Sequence, residues 1–315
     1  MNATSSSPRN TVLKTASNPR KPSQGRALVL GGGGSTGNAW LIGVMAGLSD
    51  AGLDVTTADL TIGTSAGSTA AAQISGATPA ELFEAILATA PPPRPVPAGS
   101  APRLGTRPVI DHLARINRII DSSESAADMR RKMGAAALEM EAASDGTWQA
   151  QWRTTVASRL PNQHWPQRKV LITAVSAQTG EPAVFDSHSG IDLVDAVAAS
   201  CSSGLPYWIG ETPYIDGGYR SNAENADLAA GYSRVLVLAP FGGKSLAPKH
   251  WDVHLAAQVD ELRAHGSRVE TIFPDSSSEH MFGAKAMDFT LRPPAAQAGY
   301  EQGKALAGQL TGFWR

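Results

Sequence analysis

Residues 63–67 read GTSAG, so a serine stands between two glycines in the pattern G-x-S-x-G. Ser65 falls where a predicted strand meets a predicted helix, and a sharp turn there projects the hydroxyl from the carboxyl edge of a sheet. A side chain at Gly63 or Gly67 would collide with the neighbouring strand or helix. A serine that merely caps a helix explains Ser65 but neither glycine. The pattern therefore predicts a nucleophile elbow.

A second glycine cluster follows the apolar run at residues 28–30, where the chain reads LVLGGGGSTG. A tight turn without a ligand needs fewer glycines than this, although glycine is always acceptable in a turn. Successive unobstructed N–H groups at a helix N-terminus form an anion site. Two anions fit such a loop: a nucleotide phosphate, or the transient oxyanion of acyl transfer.

The nucleotide alternative rests on Gly32, Gly34 and Gly37, which satisfy G-x-G-x-x-G after a strand. That fingerprint also requires an acid about 20 residues on, at the end of the second strand. Asp54 has the right distance but precedes the second predicted strand, which ends in IGTSAG without an acid. The context therefore disfavours a nucleotide.

A nucleophilic serine needs a base, and the chain offers two kinds. Histidine is the usual partner, and four histidines follow Ser65 late in the chain: His250, His254, His265 and His280. His254 and His265 fall on a predicted amphipathic helix and are expected at its surface or boundary. His280 is the best histidine candidate by chain order, but its surroundings do not resemble a catalytic loop.

The other candidate base is Asp216, in the segment PYIDGGYRSN. It follows two apolar residues and precedes Gly217 and Gly218, so we place it at a strand end in a tight turn. A carboxylate there reaches across the crevice at the carboxyl edge of a sheet. A plain turn aspartate before glycine is also common, and both interpretations stay open at this level.

These residues are positioned by a strand–turn–helix pattern that occurs twice before residue 75, which predicts a parallel sheet covered by helices. The segment from about 91 to 108 is rich in proline and excludes a regular helix or an interior strand. A mostly helical stretch follows it to about Leu160, so we expect a linker and helical insertion at about 91–160. The α/β pattern then resumes at KVLITAVS and ends with the strand RVETIFP.

Bulk composition narrows the function further. The chain has 315 residues, a net charge of −1 and one cysteine, Cys201. These values argue against nucleic-acid binding and exclude an intramolecular disulfide. No Asp/Glu/His cluster has the spacing of a metal site, and we expect no cofactor. Residues 1–25 are basic and Ser-rich and predict a disordered tail rather than a secretion signal.

The glycine loop, GTSAG at Ser65 and DGG at Asp216 together resemble the patatin-like phospholipase family, in chain order and in spacing. The small-residue segment before Asp216 is also similar. The resemblance covers most of residues 26–240. It implies a three-layer α/β/α patatin-like fold with a mainly parallel central sheet, so that residues 26–315 form one hydrolase domain.

The resemblance also implies a mechanism. Ser65 attacks an ester carbonyl, Asp216 serves as general base without a histidine, and the loop of Gly32, Gly33, Gly34 and Gly37 binds the oxyanion. The chain is then a serine esterase or phospholipase acting on lipid or lysophospholipid acyl esters. We expect a cytoplasmic protein and leave open a transient, peripheral contact with a membrane. Oligomeric state is open.

One position departs from the family pattern. The family's loop usually carries Arg or Lys just before its final glycine, and this chain has Thr36 there. The missing charge puts the ordering of the loop and the preference for substrate charge in doubt. It also supports an alternative, a weak or inactive patatin-fold protein that binds lipid or regulates.

Overall fold

The structure, a computed structural model, describes residues 23–88, 107–144 and 146–315. These residues form one sheet of eight strands in the order β5–β6–β3–β2–β1–β7–β8, with β4 also paired to β3. The β1–β2, β2–β3, β1–β7 and β7–β8 pairings are parallel, and those of β3–β4, β3–β6 and β5–β6 are antiparallel. The strands are β1 (Ser23–Leu30), β2 (Leu60–Gly63), β3 (Lys169–Ser176), β4 (Pro182–Phe185), β5 (Tyr207–Ile209), β6 (Thr212–Asp216), β7 (Tyr232–Leu238) and β8 (Arg268–Ile272).

Helices cover both faces of this sheet. They are α1 (Gly34–Asp50), α2 (Ala66–Ile74), α3 (Pro79–Ala88), α4 (Arg107–Asp121), α5 (Ala126–Ala142), α6 (Trp148–Ala157), α7 (Leu193–Ser200), α8 (Leu255–Ala264) and α9 (Arg292–Trp314). The predicted α/β segment at KVLITAVS, the predicted amphipathic helix at His254 and His265, and the predicted last strand RVETIFP are confirmed as β3, α8 and β8. Helices α3 and α9 are not predicted by the sequence patterns.

Alternation along β1 explains the two faces, because successive side chains of a strand point to opposite sides. Leu28 and Leu30 lie in the larger core with α1, α2, α7 and α9, whereas Ala27 and Val29 lie in the smaller core with α8. All four are fully buried. A strand buried on both sides reads as a continuous apolar run, and ALVL at residues 27–30 does so.

Helices α4, α5 and α6 lie within the span predicted as a helical insertion, about 91–160, and α4 and α5 contribute to a third, smaller apolar cluster. Met129 and Met133 are buried there against Val175 and Ile215, next to the end of β6. Trp148 and Trp152 of α6 pack onto the larger core instead. The methionines and tryptophans of this region therefore serve packing, as apolar residues at helical spacing usually do.

Helices α1 and α9 approach each other through glycines. A Cβ at Gly43 or Gly47 of α1 would lie 2.0 Å from a carbonyl oxygen of α9. A Cβ at Gly299 or Gly303 of α9 would lie 2.4 or 2.3 Å from a carbonyl oxygen of α1. No real Cβ approaches an oxygen so closely, so this helix pair depends on glycine at all four positions.

The register of β3 brings two distant segments to one point. Ile172 pairs with Gly63 of β2 and also with β4, so β2 and β4 flank β3 on opposite sides. Ala174 pairs with β4 and with Asp216 of β6. Since β4 occupies one side of β3, β6 pairs on the same side as β2. It pairs two residues further along β3, just past the end of β2, so Asp216 faces the turn that holds Ser65.

The predicted tail of residues 1–25 lies almost wholly outside the described residues, as does nearly all of the proline-rich segment at about 91–108. Both stay predictions. Along the part of the chain that the structure describes, every helix is too short or too polar to span a bilayer.

Candidate active site

Ser65 occupies the turn between β2 and α2, and its backbone is held at φ 52° and ψ −117°. A positive φ is rare for a residue with a side chain, and such strain clusters at functional sites. The flanking glycines make the turn possible. A Cβ at Gly67 would lie 1.9 Å from the Leu30 carbonyl oxygen, and one at Gly63 would lie 2.6 Å from Ser68 Cα.

The strained turn is held by hydrogen bonds from α2 and from the end of α7. The Ser65 N–H donates to Ser200 Oγ at 2.9 Å. The Ser65 carbonyl oxygen accepts the Ser68 hydroxyl at 2.6 Å and the Cys201 thiol at 3.1 Å. Burial raises the pKa of Cys201 to about 11, so this thiol stays protonated and acts as a donor.

The Ser65 hydroxyl donates to Asp216 Oδ2 at 2.8 Å. The other carboxylate oxygen, Oδ1, accepts the Gly218 N–H at 2.8 Å, and the Asp216 N–H donates to the Ser202 carbonyl oxygen. Asp216 is only 7% exposed. Burial raises its pKa to about 6, while the bonds from Gly218 and Ser65 act in the opposite direction.

The glycine loop lies against the same turn, since a Cβ at Gly32 would lie 3.5 Å from Ser65 Cβ. The Gly32 N–H donates to the Ala223 carbonyl oxygen at 2.8 Å, and the Gly37 N–H donates to Gly33 inside the first turn of α1. Within the described ranges, the N–H groups of Gly33 and Gly34 have no acceptor. Of the four predicted oxyanion donors, the N–H groups of Gly32 and Gly37 already donate within the protein, and those of Gly33 and Gly34 are free to donate.

The loop is also fixed from outside. Its Gly33 packs on Pro240, where a Cβ would approach the proline Cβ to 2.6 Å. Gly34 has φ +62° and lies under Ala286, whose carbonyl oxygen accepts the Thr36 N–H at 3.0 Å. Thr36 is fully buried, and its hydroxyl has no partner among the described residues.

A positive charge does reach this loop, but from the far end of the chain. The Arg292 guanidinium, at the start of α9, donates to the Ser35 carbonyl oxygen at 2.9 Å and to its hydroxyl at 3.2 Å. It also donates to Asn38 Oδ1 at 3.3 Å. Burial lowers the pKa of Arg292, and the nearby Arg159 charge acts in the same direction. Arg292 therefore contacts Ser35, the residue that precedes Thr36 in the loop.

The histidine candidates do not enter the site. His280 is exposed, and its Nδ1 lies 2.9 Å from the Ser277 carbonyl oxygen. His254 and His265 lie at the two ends of α8. Among the described side chains, Asp216 is the hydrogen-bond partner of the Ser65 hydroxyl. Those side chains also contain no group of three or more His, Cys, Asp or Glu arranged to hold a metal ion.

This arrangement of elbow, glycine loop and DGG turn agrees with a comparison of sequences. The profile of the family described as patatin-like phospholipase matches residues 28–228. The chain belongs to this family. Its architecture, a mainly parallel sheet between two helical layers with a helical insertion, is the patatin-like fold. Family membership supports lipid hydrolase activity in general.

Solved structures of two proteins are similar to this chain over most of its length. VipD from Legionella pneumophila has 12% identity and a TM-score of 0.41, over 91% of this chain and 67% of VipD. The type III effector ExoU has 16% identity and a TM-score of 0.33, over 90% of this chain and 54% of ExoU. Full-length ExoU from Pseudomonas aeruginosa in complex with SpcU has 18% identity and a TM-score of 0.31, over 90% of this chain and 53% of that ExoU chain. A comparison with curated proteins finds no match.

Three residues of this patatin-like site are missed by sequence reasoning. Ser200 lies in the recognised small-residue segment, but no spacing rule marks its hydroxyl as the acceptor for the Ser65 N–H. Arg292 is 227 positions beyond Ser65 and lies in a helix that the patterns do not reveal. Asn225, treated below, follows the DGG turn without a recognisable motif.

Proposed function

We propose that this protein is a serine esterase that hydrolyses lipid acyl esters with Ser65 as nucleophile and Asp216 as general base. The observation that carries the proposal is the 2.8 Å hydrogen bond from the Ser65 hydroxyl to Asp216 Oδ2, in a strained turn beside a glycine loop. A serine is a weak nucleophile until an adjacent base takes its proton. Asp216 is the proposed base because its carboxylate accepts the hydrogen bond from that hydroxyl.

In the first half-reaction, Ser65 Oγ forms a bond to the ester carbonyl carbon while its proton passes to Asp216 Oδ2. The carbonyl π electrons move to the oxygen and give a tetrahedral oxyanion. When the oxyanion collapses, the bond to the alcohol oxygen breaks, and Asp216 returns the proton to that oxygen. The product is an acyl-serine and a free alcohol.

In the second half-reaction, Asp216 takes a proton from water, and the water oxygen attacks the acyl carbon. The Ser65–acyl bond breaks as the new oxyanion collapses, and Ser65 Oγ recovers its proton. The carboxylic acid leaves. One carboxylate thus acts as base and acid in both halves, as microscopic reversibility allows.

We assign stabilisation of both oxyanions to the N–H groups of Gly33 and Gly34. They support this role because they lack an acceptor within the described part of the chain, while Gly32 and Gly37 donate elsewhere and serve to shape the loop. One oxyanion donor is worth roughly 10²–10³ in rate. The N-terminus of α1 adds a favourable dipole.

The raised pKa of Asp216 sets the pH range. Only the ionised carboxylate accepts the Ser65 proton, so we expect kcat/KM to rise with pH and to level off above about pH 6 to 7. A pH–rate profile on a short-chain ester measures this limb. A limb near pH 4, the usual range of an exposed aspartate, would contradict the assignment.

We also propose a transient contact of the site with a lipid surface. Met287 and Phe289 are 56% and 49% exposed, in the segment whose Ala286 carbonyl oxygen holds the glycine loop. Apolar side chains left exposed beside a lipid hydrolase site favour contact with the aggregate that holds the substrate. Sedimentation with vesicles tests this, with Met287→Ser as the weakened variant.

The decisive experiment is covalent labelling with a fluorophosphonate probe together with turnover of a short-chain ester. We expect labelling of the wild type and its loss in Ser65→Ala and in Asp216→Ala, with folding checked by thermal denaturation. Detergent micelles are added in parallel so that a covered site is not read as inactivity. Asp260→Asn, an exposed carboxylate on α8, is the matched control.

Each result separates the alternatives. Label lost in both site variants and kept in Asp260→Asn supports the dyad. Label that persists in Asp216→Ala at the wild-type rate would exclude Asp216 as the base. A folded wild type that neither labels nor turns over esters with micelles present would instead favour the lipid-binding or regulatory alternative.

A further inference from the structure

A single buried amide touches the elbow and the aspartate turn at once. Asn225 Nδ2 donates to Thr64 Oγ1 at 3.0 Å and to the Gly217 carbonyl oxygen at 3.0 Å. Thr64 immediately precedes Ser65, and Gly217 immediately follows Asp216. Asn225 is fully buried, so water does not compete for these bonds.

The direction of the amide is fixed by its surroundings. Its oxygen, Oδ1, accepts a hydrogen bond at 3.1 Å from Arg220, which is also paired with Asp227 at 2.8 Å. A flipped amide would set two oxygens against each other at Gly217 and two donors against each other at Arg220. The two hydrogens of Nδ2 therefore point at Thr64 and Gly217.

The bond to Thr64 continues into the sheet. Because Thr64 Oγ1 accepts from Asn225, its own hydrogen is free to donate to Thr173 Oγ1, 3.0 Å away. Thr173 Oγ1 in turn lies 3.5 Å from the Gly63 carbonyl oxygen. Thr64 and Thr173 are both fully buried. One connected set of hydrogen bonds thus joins Asn225 to Thr64 and Gly63, the two residues that precede Ser65.

The backbone of Asn225 is held in an uncommon conformation to present this amide. Its φ is +56°, a region that asparagine tolerates better than most residues. Asn222 Oδ1 accepts the N–H groups of Glu224 and Asn225, at 2.9 and 2.7 Å. In the same loop, the Ala223 carbonyl oxygen holds the Gly32 N–H. Residues 222–225 therefore contact all three parts of the candidate site.

We propose that Asn225 is a positioning residue, whose amide sets the separation and orientation of Ser65 and Asp216. The inference rests on the proposed esterase function and adds to it a residue that touches neither the substrate nor the reacting atoms. Its two bonds run to the neighbours of both reacting residues. Removing the amide leaves the side chains of Ser65 and Asp216 unchanged. It frees the Ser65 turn and the Asp216 turn to move relative to each other.

The main test is Asn225→Gly, because glycine accepts the positive φ and removes only the amide. We expect kcat on a short-chain ester, and the rate of fluorophosphonate labelling, to fall about 10- to 100-fold, the cost of a misplacement near 1 Å. KM should change little, since the fully buried amide donates only to protein groups. Asp252→Gly is the control, since Asp252 has φ +55° but is exposed and outside this network.

A second variant reads the effect through pH. Asn225→Asp keeps the shape but places a second carboxylate behind Gly217, beside Arg220. A like charge near Asp216 raises its pKa, so the acidic limb of kcat/KM should move to higher pH. An unmoved limb would contradict the short distance between residue 225 and the Asp216 turn on which the inference rests.

A third variant covers the case in which Asn225→Gly does not fold. Thr173→Val removes the hydroxyl that joins Thr64 to β3 and should slow labelling about tenfold, by roughly the 1.4 kcal/mol that a hydrogen bond contributes. Thr61→Val, buried on β2 outside the network, should not slow it.

The outcomes are distinct. An active wild type with unchanged kcat and labelling in Asn225→Gly and Thr173→Val would overturn the inference and leave the esterase proposal intact. A wild type that neither labels nor turns over would overturn both. A slower Asn225→Gly with an unchanged Asp252→Gly, together with a shifted pH limb in Asn225→Asp, supports the positioning role.

Discussion

The buried carboxylate of Asp216 should destabilise the fold that it serves. Its pKa is about 6 in the folded protein and near 3.8 in an unfolded chain. Above about pH 6 the Asp216 carboxylate is ionised in the folded state, where burial makes its charge less favourable than in water. A carboxyl pKa raised by burial from 3.8 to about 6 corresponds to a cost of about 3 kcal/mol at neutral pH. Below about pH 4 both states are protonated, and the cost disappears.

Asp216→Asn removes this cost while keeping the shape. The asparagine oxygen can accept the Gly218 N–H, and its amide can donate to Ser65 Oγ, so the contacts of residue 216 with Gly218 and Ser65 are both kept as hydrogen bonds. We expect the variant to lose ester turnover and to gain about 3 kcal/mol at pH 8, but only about 1 kcal/mol at pH 4.5. With an unfolding entropy near 0.7 kcal/mol/K for a chain of this length, the gain at pH 8 is about 5 °C in Tm.

Thermal denaturation of both proteins at the two pH values measures the effect, and only the differences between matched samples are used. Asp260→Asn, exposed on α8, is the control and should move Tm by less than about 1 °C at either pH. A variant that is no more stable than wild type at pH 8, or one stabilised equally at both pH values, would refute the reasoning. Either result would mean that Asp216 is not desolvated as the structure places it.

Three further predictions concern other groups near the site. Burial raises the pKa of Glu224 to about 7, and both its carboxylate oxygens lack a described partner, so Glu224→Gln should raise Tm at pH 9 more than at pH 5. Gly67→Ala should prevent folding or lower Tm by more than 5 °C, roughly the result of a backbone clash of several kcal/mol, whereas Gly308→Ala on open helix surface should leave Tm equal or higher. Arg292→Gln should slow fluorophosphonate labelling about tenfold by loosening the glycine loop. Arg268→Gln, which loses only a stack on an aromatic ring, should not slow it.

The parts of the fold that could be predicted from sequence are those with local signals. The run ALVL before glycines marks a strand buried on both faces, and the pattern around α8 marks an amphipathic helix. Helix α9 is different, because its glycines read as helix breakers. Two of them, Gly299 and Gly303, are required by the close approach to α1, a tertiary contact that no local pattern encodes.

The same distinction holds at the candidate site. Ser65 and Asp216 could be predicted from the sequence because each lies in a short motif in which the turn sterically requires glycine. It does not reveal that the Gly32 N–H is taken by Ala223, since that bond joins residues 191 positions apart. Nor does it reveal Arg292, whose place beside Ser35 depends on how α9 packs.

The glycine contact between α1 and α9 changes what counts as a folding unit. The family match ends at residue 228, yet α1, which begins in the glycine loop, is covered along its length by a helix that begins at Arg292. Strand β1 likewise needs β7 as its neighbour on one side. A fragment that stops where the family resemblance stops would expose a groove of bare helix backbone and an open sheet edge. Residues 28–228 therefore do not make a complete folding unit, because α1 and β1 also need neighbours that lie after residue 228.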